Sequence, residues 1–596
     1  MVNKRKNVVF LVIDSLGNYN RRDVEGRIMP FLNKLKEESI YFPNMFSEAP
    51  YTEAAVMSML CGKDTLEDEG YLYRFKKSHN IFECFKENGY EVFNYVQPHV
   101  HPSSILKGNT HFYYNVAYDF NVVWGYRLYL YSELYKQNKL RIEDYEKIIE
   151  LLDDNFEFWA YFFQKYMQGD ESFSLIRDNL ERLYDEGYVE KQYEKVLNQK
   201  EKYFCNKKAY IEELLEQGKS HDLFEIGVLD QNVKVSAETK KWLVENCKNI
   251  FDRINSVNKK HNFVLGKINW NGVFADAIDA VKEHKLDKLK GNFAYFKNGV
   301  FDSDLKERLY ESDSFKAAPS LYSHINHFKK ELAKRNQETP FFSCIHVDDI
   351  HNPEIFFTYD TDDIEMLREE FKDIENVLDI YEEGMSGAVS YYLSLAYIDK
   401  KIKYLFDVLE EQKLLQDTIV VITGDHGFSF DYVNIRNSCV NNHYLENYNV
   451  PLYIYDYGNE SYINQRICSS KDIFPTLLER LQLEAMDNNI TGESLFGELK
   501  DYIVLQNIMG GCPDVDHRSV TIGILTKEEL LVGEADLNSK FTDISLKEYY
   551  DLKNDPRQKI NAIRKQKELE SKKIVEILRK EFQSLYQNIA MNRGWN

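Results

Sequence analysis

Two acidic side chains and a histidine follow predicted strands at two distant points of the sequence. Asp14 ends the apolar run NVVFLVID, and Asp425 and His426 follow the run TIVVITG. In parallel α/β sheets the functional crevice lies at the carboxyl ends of the strands, so side chains from distant segments converge there. Carboxylate oxygens with one imidazole suit Mn²⁺, Zn²⁺ or Ca²⁺, and the histidine favours the first two. An aspartate after a strand is also a common turn or helix-cap residue, so neither motif decides alone.

Thr52 is the third candidate, because it stands at the start of a predicted helix. The apolar stretch after it ends at Gly62, a residue that commonly follows the last turn of a helix. A hydroxyl at a helix N-terminus is favoured as an alkoxide by the helix dipole and by a bound cation. Threonine is also an ordinary N-cap residue, so Thr52 is a functional candidate only in combination with Asp14 and with Asp425 and His426.

The elements around these residues alternate between strand and helix patterns, which predicts an α/β fold with a central, mostly parallel sheet flanked by helices. The last hundred residues combine short strands with a charged terminal helix, which predicts a small α+β subdomain. We expect strands at 7–14, 40–46, 91–96, 340–347, 418–423 and 450–455, with helices at 29–38, 52–61, 81–88 and 384–411.

Residues 105–335 interrupt this pattern. The segment is dense in Glu, Lys, Tyr and Phe, nearly free of proline, and contains long helical patterns such as RIEDYEKIIELLDD. We therefore expect a large helical insertion beside the sheet. The predicted organisation is a first part of the α/β core at 1–104, the insertion at 105–335, the second part of the core at 336–497 and the α+β subdomain at 498–596.

Charge and cysteine usage restrict the partners. The 596 residues carry a formal charge of −22, so a nucleic-acid partner is not expected. An anionic substrate would need positive charge concentrated locally, which a metal ion supplies.

The eight cysteines are scattered without metal-ligand spacing, and the apolar run Val8–Ile13 is too short for a secretory core or a membrane span. These features predict a cytoplasmic protein with reduced thiols.

Several segments in order resemble the sulfatase branch of the alkaline-phosphatase superfamily. The family's nucleophile helix ends in a glycine ten residues after the nucleophile, and counting back from Gly62 gives Thr52. The resemblance covers about residues 7–100 and 340–565 and implies a divalent metal ion held by Asp14, Thr52, Asp425 and His426. The segments are NVVFLVID, MPFLNKLKEES, YFPNMFSEAP, PFFSCIHVDDIHNP, the helix–strand unit ending in TGDHG, HYLENYNVPLYIY, DIFPTLLERL, TGESL and EYYDLKNDPRQKINAI.

Two departures from the sulfatase pattern favour phosphorus chemistry. Sulfatases convert a Cys or Ser to formylglycine within a signature that has Pro at +2 and Arg at +4, whereas Thr52 is followed by EAAV and cannot be converted. Sulfatases also carry paired acids after the first strand, but Asp14 is followed by Ser15. Thr nucleophiles are found in phosphorus-handling relatives such as lipoteichoic acid synthases and phosphoethanolamine transferases. The resemblance therefore implies a hydrolase or phosphotransferase, including phosphodiesterases.

The resemblance also implies roles for further residues. Thr52 would form a phospho-threonine that water or an acceptor alcohol resolves, while His351 and His443 would contact substrate oxygens or protonate the leaving group. Lys63 is either a substrate contact or a solvated lysine past a helix end. The expected substrate is a small-molecule, glycan-linked or lipid-linked phosphate ester.

A second metal ion could use Asp349, His351 and His443. The spacing of Asp349 and His351 differs from the DxxxH arrangement of two-metal relatives, so one ion is favoured over two. Two other readings of the chain stay open, namely a sulfatase with an atypical nucleophile and a non-catalytic binding protein on this fold. The choice between hydrolysis and transfer, and the oligomeric state, are also open at this point.

Overall fold

The computed structural model describes residues 5–18, 25–64, 79–96, 125–170, 187–226, 320–351, 389–428, 443–484, 490–498, 500–508, 514–558, 560–563 and 572–595, with a few shorter pieces between them. The strands are β1 Asn7–Ile13, β2 Ser39–Phe46, β3 Glu91–Tyr95, β4 Asn232–Lys234, β5 Ser314–Lys316, β6 Phe341–Val347, β7 Thr418–Gly424, β8 Asn449–Asp456, β9 Tyr462–Ile463, β10 Cys468–Ser469, β11 Ile503–Asn507, β12 Val520–Leu525, β13 Glu529–Ala535 and β14 Ser545–Asp551. The helices are α1 Glu25–Ile28, α2 Pro30–Glu38, α3 Thr52–Cys61, α4 Ile81–Glu87, α5 Gly125–Lys136, α6 Ile142–Met167, α7 Tyr188–Cys205, α8 Lys207–Gln217, α9 Leu321–Lys334, α10 Val389–Glu411, α11 Leu445–Tyr448, α12 Ile473–Leu481 and α13 Lys573–Asn592.

The central sheet has the strand order β10-β2-β8-β7-β1-β6-β3, and β9 also pairs with β2. All its described pairings are parallel except those of β8, which runs antiparallel to both β2 and β7. Strands β1, β6, β7 and β8 are buried along their whole length, as expected for strands covered on both faces. The predicted fold class is confirmed.

Alternating side chains of β1 build two separate cores. Val9 and Leu11 pack with α2, α9 and α10 on one face of the sheet, whereas Val8, Phe10 and Val12 pack with α3, α4 and α12 on the other. A strand whose successive side chains are all apolar can be buried only between two layers of helices. The helix α3, which begins at Thr52, is thereby fixed on one defined face of the sheet.

The described part of the predicted insertion is helical apart from the two-stranded pair β4–β5, and none of its strands joins the central sheet. Helices α5 to α8 pack in one apolar cluster with β12, β13 and α13 of the C-terminal region. The helix α9 instead packs on the central sheet through Leu321, Ile325 and Phe328. The described residues of the predicted insertion therefore pack in two places, and its bounds of 105–335 stay a prediction.

The C-terminal region contains a four-stranded antiparallel sheet in the order β11-β12-β13-β14, covered by α13. A buried ionic network joins it to α6. His517 lies between two carboxylates, with Nδ1 2.7 Å from Asp514 Oδ1 and Nε2 3.2 Å from Asp144 Oδ2. Lys147 of α6 pairs with both Asp514 and Asp516. The insertion and the C-terminal subdomain are therefore held together by charge pairing as well as by apolar packing.

Within the described ranges, no helix is both long and apolar enough to cross a bilayer. Five of the cysteines there (61, 84, 205, 344 and 468) are free thiols, and four of these are buried. Cys247, Cys439 and Cys512 lie outside the described residues.

The network around His517 predicts a pH-dependent stability. Burial alone would lower the pKa of His517, but hydrogen bonds to Asp144 and Asp514 raise it to about 9, above the ordinary 6.5. Because the folded-state pKa is raised, the stabilisation is complete below pH 6.5 and is lost as the pH rises through 9. We expect His517→Gln to lower the free energy of unfolding at pH 6 by about 2 kcal/mol.

Urea unfolding of both proteins between pH 6 and pH 10 measures this difference, which should shrink as His517 loses its proton. The control is His79→Gln, because the His79–Glu87 pair is surface-exposed and should change the free energy of unfolding by less than about 0.5 kcal/mol. A difference between wild type and His517→Gln that is constant with pH would contradict the assignment.

Candidate functional site

The register of three parallel strands brings Asp14 and Asp425 together. β1 lies between β6 and β7, and Ile13 pairs with both Val347 and Gly424. Asp14 directly follows β1, and Asp425 directly follows β7. These strands are adjacent and parallel, so both side chains lie at the same edge of the sheet. Both are buried, with 3% and 0% of their surface exposed. Two carboxylates without solvent need compensating charge or hydrogen bonds.

Backbone amides fix one oxygen of Asp425. Its Oδ1 accepts hydrogen bonds from the N–H groups of Ser15 at 2.9 Å and His426 at 2.7 Å. Ser15 has a φ of 64°, the left-handed region that non-glycine residues seldom adopt, and the Tyr391 hydroxyl donates to its carbonyl at 2.8 Å. The strained turn after β1 therefore holds Asp425 so that Oδ2 is directed away from these amides.

Tyr51 is the N-cap residue of α3, and Thr52 is the first helical residue. The Thr52 hydroxyl donates to Asp14 Oδ2 at 3.1 Å and lies 3.3 Å from His426 Nε2. The other end of the helix is fixed by Gly62, whose φ of 65° gives the left-handed termination that glycine adopts without strain. The position of α3 thus puts a hydroxyl at a helix N-terminus in contact with two site residues.

His426 is oriented by its own backbone neighbour. Its Nδ1 lies 2.8 Å from the Gly427 carbonyl oxygen, which accepts the Nδ1 proton and leaves Nε2 facing Asp14 at 3.5 Å and Asp425 at 3.7 Å. Gly427 is required for this turn, because a Cβ there would lie 1.9 Å from the Glu446 carbonyl oxygen. In the DHG sequence, Asp425 follows the strand, His426 supplies an oriented imidazole, and Gly427 permits the close backbone contact.

The charged groups of the cluster shift one another's pKa values. Burial alone would raise the pKa of Asp425, but His426, His346 and the Ser15 amide together lower it well below its usual range. Burial alone would lower the pKa of His426, but the carboxylates of Asp425 and Asp14 raise it above 6.5. The two carboxylates thus stabilise a positive charge between them, which is the electrostatic environment that a cation requires.

His346 is a site residue that the sequence reasoning missed. It lies in β6, pairs with Val12 and is fully buried, and its Nε2 is 3.8 Å from Asp425 Oδ2. Ligand atoms of Asp14, His346 and Asp425 all lie within 4.8 Å of one another. The available signal was a single imidazole inside the otherwise apolar end of the strand FFSCIHV, one strand away from Asp14.

The residues present fit a bound divalent cation. Asp425 Oδ2 is buried and has no hydrogen-bond partner among the described residues, and the same is true of both ring nitrogens of His346. Orphaned buried donors and acceptors of this kind are costly unless something satisfies them. Carboxylate oxygens, imidazole nitrogens and a hydroxyl are the ligands that Mn²⁺ and Zn²⁺ accept. Asp14, Thr52, Asp425 and His426 could therefore hold such an ion.

The two histidines predicted to contact substrate lie in different places. His351 is exposed, and its ring centroid is 6.5 Å from that of His426. His443 is buried, stacks on Tyr448 and lies with Nε2 3.5 Å from Thr521 Oγ1 in β12. Burial lowers the pKa of His443 to about 3, so the ring is neutral at pH 7. His351 thus lies beside the cluster, whereas the described side-chain contacts of His443 are with Tyr448 and the C-terminal sheet.

Asp349 is held by contacts of its own, and Lys63 follows the far end of α3. Asp349 Oδ1 accepts from Lys401 Nζ at 2.6 Å and Oδ2 accepts from the Leu321 amide at 2.9 Å, so a second metal ion at Asp349 would have to displace a buried ion pair. Lys63 follows Gly62, so its backbone lies about 15 Å from Thr52 along the length of α3. The substrate contact at Lys63 stays a prediction.

Comparisons with known proteins give a family and a fold. The family described as Sulfatase matches residues 6–155 and 267–483. An arylsulfatase of Clostridium perfringens (strain 13 / Type A) is 28% identical over 196 residues. That match covers 32% of this chain and 38% of the arylsulfatase, so it spans well under half of the relative's length.

Solved structures match over nearly the whole chain. A Bacteroides thetaiotaomicron protein, studied in its metabolism of multiple glycosaminoglycans, has a TM-score of 0.51 and 13% identity, covering 98% of this chain and 96% of its own. The phosphonate monoester hydrolase of Agrobacterium radiobacter has a TM-score of 0.45 and 12% identity, covering 98% and 96%. The TM-score of 0.51 supports a shared fold. At an identity of 13% the likeness carries nothing beyond the fold.

The geometry of the cluster predicts the effect of Asp425→Asn. We expect the variant to lose the rise in melting temperature that Mn²⁺ or Zn²⁺ gives to the metal-free wild type, because an amide oxygen replaces an anionic ligand. Metal affinity should fall by more than about 100-fold, since changes outside the ligand shell already cost 10–100-fold. Thermal unfolding with and without metal measures the effect.

The matched control is Asp399→Asn. Asp399 is a buried aspartate whose oxygens accept from the Phe31 and Leu32 amides at the start of α2, at 2.9 and 2.8 Å. Its replacement should lower the melting temperature of the metal-free protein and preserve the metal-induced rise. A full metal-induced rise in Asp425→Asn would rule out a ligand role for this residue.

Proposed function

The chain belongs to the sulfatase family, whose match covers more than half of its residues, and we propose that it is a metal-dependent hydrolase or phosphotransferase of phosphate esters or diesters with Thr52 as nucleophile. A hydrolase of the sulfatase superfamily is the coarser statement that family membership supports. The proposal adds three features to it, namely the nucleophile, the element attacked and the metal ion.

The observation that carries the proposal is the position of the Thr52 hydroxyl. Thr52 is the first residue of α3, one position after the N-cap residue Tyr51, and its hydroxyl lies 3.1 Å from Asp14 Oδ2 and 3.3 Å from His426 Nε2. The side chain therefore contacts the anionic cluster, which is where an activated nucleophile is needed.

The residue type favours phosphorus over sulfur. Formylglycine in sulfatases expels sulfate by using the second hydroxyl of an aldehyde hydrate, and threonine has no such second hydroxyl. A phosphate ester of threonine can be opened by attack at phosphorus. The 28% identity to an arylsulfatase over part of the chain supports the alternative, a sulfuric ester hydrolase with an atypical nucleophile, so the test includes a sulfate ester.

The proposed reaction has two steps. A divalent ion held by Asp14, Thr52, Asp425 and His426 would lower the pKa of the hydroxyl and neutralise charge on the phosphoryl oxygens. The Thr52 oxygen forms a bond to phosphorus, its proton passes toward the Asp14 carboxylate, and the bond from phosphorus to the alcohol oxygen breaks. Water or an acceptor alcohol then attacks phosphorus, the bond from phosphorus to the Thr52 oxygen breaks, and the proton lost by the attacking group restores the Thr52 hydroxyl.

Of the two predicted histidines, His351 suits protonation of the leaving oxygen. It is exposed at the edge of the cluster, whereas the neutral ring of His443 is stacked in the interior. The substrate class stays as predicted from sequence, a small-molecule, glycan-linked or lipid-linked phosphate ester. The choice of Mn²⁺ or Zn²⁺ over Ca²⁺, and of one ion over two, belongs to this proposal.

Replacement of Thr52 tests the nucleophile. We expect Thr52→Ala to lower turnover of bis(4-nitrophenyl) phosphate or 4-nitrophenyl phosphate by at least about 10³-fold, because the bond-forming atom is lost. Thr52→Ser should keep part of the activity, because the hydroxyl remains. The assay measures 4-nitrophenol release with Mn²⁺ or Zn²⁺ present and includes 4-nitrophenyl sulfate.

The control variant is Thr476→Ala, a buried threonine whose hydroxyl bonds the Asp472 carbonyl in α12 and which should affect stability rather than turnover. Efficient sulfate-ester cleavage without phosphate-ester cleavage would favour the alternative. Full activity of Thr52→Ala would remove Thr52 from the mechanism.

A second test concerns His351. A proton donor matters most for a poor leaving group, so His351→Gln should slow alkyl phosphodiesters at least about 10-fold more than 4-nitrophenyl esters. The measurement is the ratio of kcat/KM for an alkyl and a 4-nitrophenyl diester. The same change at His443 should leave that ratio unaltered, and an equal loss on both substrates in His351→Gln would argue against a proton donor there.

A further inference from the structure

The imidazole of His346 is the least explained buried group near the cluster. It shares the α3-facing side of the sheet with Phe342 and Cys344, because side chains alternate along β6 and both residues pack in the core that contains α3. It is fully buried, and neither of its ring nitrogens has a hydrogen-bond partner among the described residues. An imidazole left in this state is costly unless a ligand satisfies it.

We infer that His346 is a further protein ligand of the metal centre, binding the ion through Nε2, so that the site offers two imidazoles rather than one. The inference rests on the metal centre of the proposed function and extends its ligand set. Asp425 Oδ2 lies 3.8 Å from His346 Nε2, and this oxygen also has no hydrogen-bond partner among the described residues.

The separation of each imidazole from Asp425 Oδ2 agrees with a shared ion. His426 Nε2 lies 3.5 Å from Asp14 Oδ1 and 3.7 Å from Asp425 Oδ2, and His346 Nε2 lies 3.8 Å from that same oxygen. Donors bound to one ion at about 2.0–2.3 Å lie roughly 3–4.5 Å from each other. Hydrogen-bonded pairs would be closer, at about 2.7–3.2 Å.

A role for His346 in merely orienting Asp425 is already filled by other groups. Asp425 Oδ1 accepts from the Ser15 and His426 amides at 2.9 and 2.7 Å, which fix the carboxylate plane. At 3.8 Å His346 makes no hydrogen bond to Oδ2. Both atoms lack a hydrogen-bond partner among the described residues, and an ion bound to both would satisfy them.

The additional imidazole predicts metal selectivity. Two nitrogen ligands raise the preference for Zn²⁺ and Mn²⁺ over Mg²⁺ and Ca²⁺, which favour all-oxygen coordination. Removal of His346 should therefore weaken Zn²⁺ binding by at least about 100-fold and Mg²⁺ binding far less. The selectivity of the centre, rather than metal binding as such, is assigned to this residue.

The experiment uses the full chain stripped of metal by chelation and loaded with Mn²⁺ or Zn²⁺. Pulsed electron paramagnetic resonance of the Mn²⁺ form counts directly bound imidazole nitrogens, and calorimetry measures Zn²⁺ and Mg²⁺ affinities. We expect two nitrogens in wild type and one in each of His346→Gln and His426→Gln. The control His324→Gln removes another fully buried imidazole, in α9, and should keep both nitrogens.

The outcomes separate the two hypotheses. One bound nitrogen in wild type, or an unchanged count in His346→Gln, overturns the inference and leaves the metal centre of the proposed function intact. A wild-type count of one overturns the inference even if His346→Gln does not fold. If the wild type binds neither Mn²⁺ nor Zn²⁺, the proposed function fails with it. Two nitrogens in wild type and one in His346→Gln, with loss of Zn²⁺ preference, supports the inference.

Discussion

The arrangement of this protein depends on holding two carboxylates together away from water. Asp14 and Asp425 are buried at adjacent strand tips, where like charges repel strongly because little solvent screens them. The same low dielectric that makes them repel also makes any positive group between them strongly favoured. His426 responds with a raised pKa in the absence of metal, and a divalent ion would use the same electrostatic field with more charge. The two carboxylates by themselves therefore raise the free energy of the folded state, and a cation or a proton between them offsets that cost.

The surrounding structure supplies the geometry this requires. Parallel pairing with β6 and β7 fixes the height of the strand tips, and the left-handed turn at Ser15 donates an amide that orients Asp425. The helix α3 then presents the Thr52 hydroxyl from the face of the sheet on which it packs. Each of these elements is rigid because it is buried, which is the property that a preorganised site needs.

The C-terminal subdomain and helices α5 to α8 of the insertion pack together beside the central sheet. Their shared apolar cluster is joined by ion pairs from α6 to the loop before β12, and Arg593 after α13 pairs with Asp516 and with Glu69, a short distance beyond α3. His443 lies at the boundary with this region, stacked on Tyr448 and with Nε2 3.5 Å from Thr521 Oγ1 in β12. Distant segments are thus tied to the part of the core that carries α3.

The sequence by itself determined the local features of the site. The continuous apolar strands that Asp14 and Asp425 follow, and the helix Thr52–Cys61 with Gly62 after it, are patterns within a few residues, and the structure has them where they were predicted. The fold class follows from the alternation of such elements along the chain. What only the tertiary structure decided concerns pairing across the chain. The inclusion of His346, the ion pair that occupies Asp349, the burial of His443 and the antiparallel direction of β8 depend on which segments become neighbours. Hydrophobic periodicity reports which face of an element is buried, but it does not report what that face meets, because the partner lies hundreds of residues away.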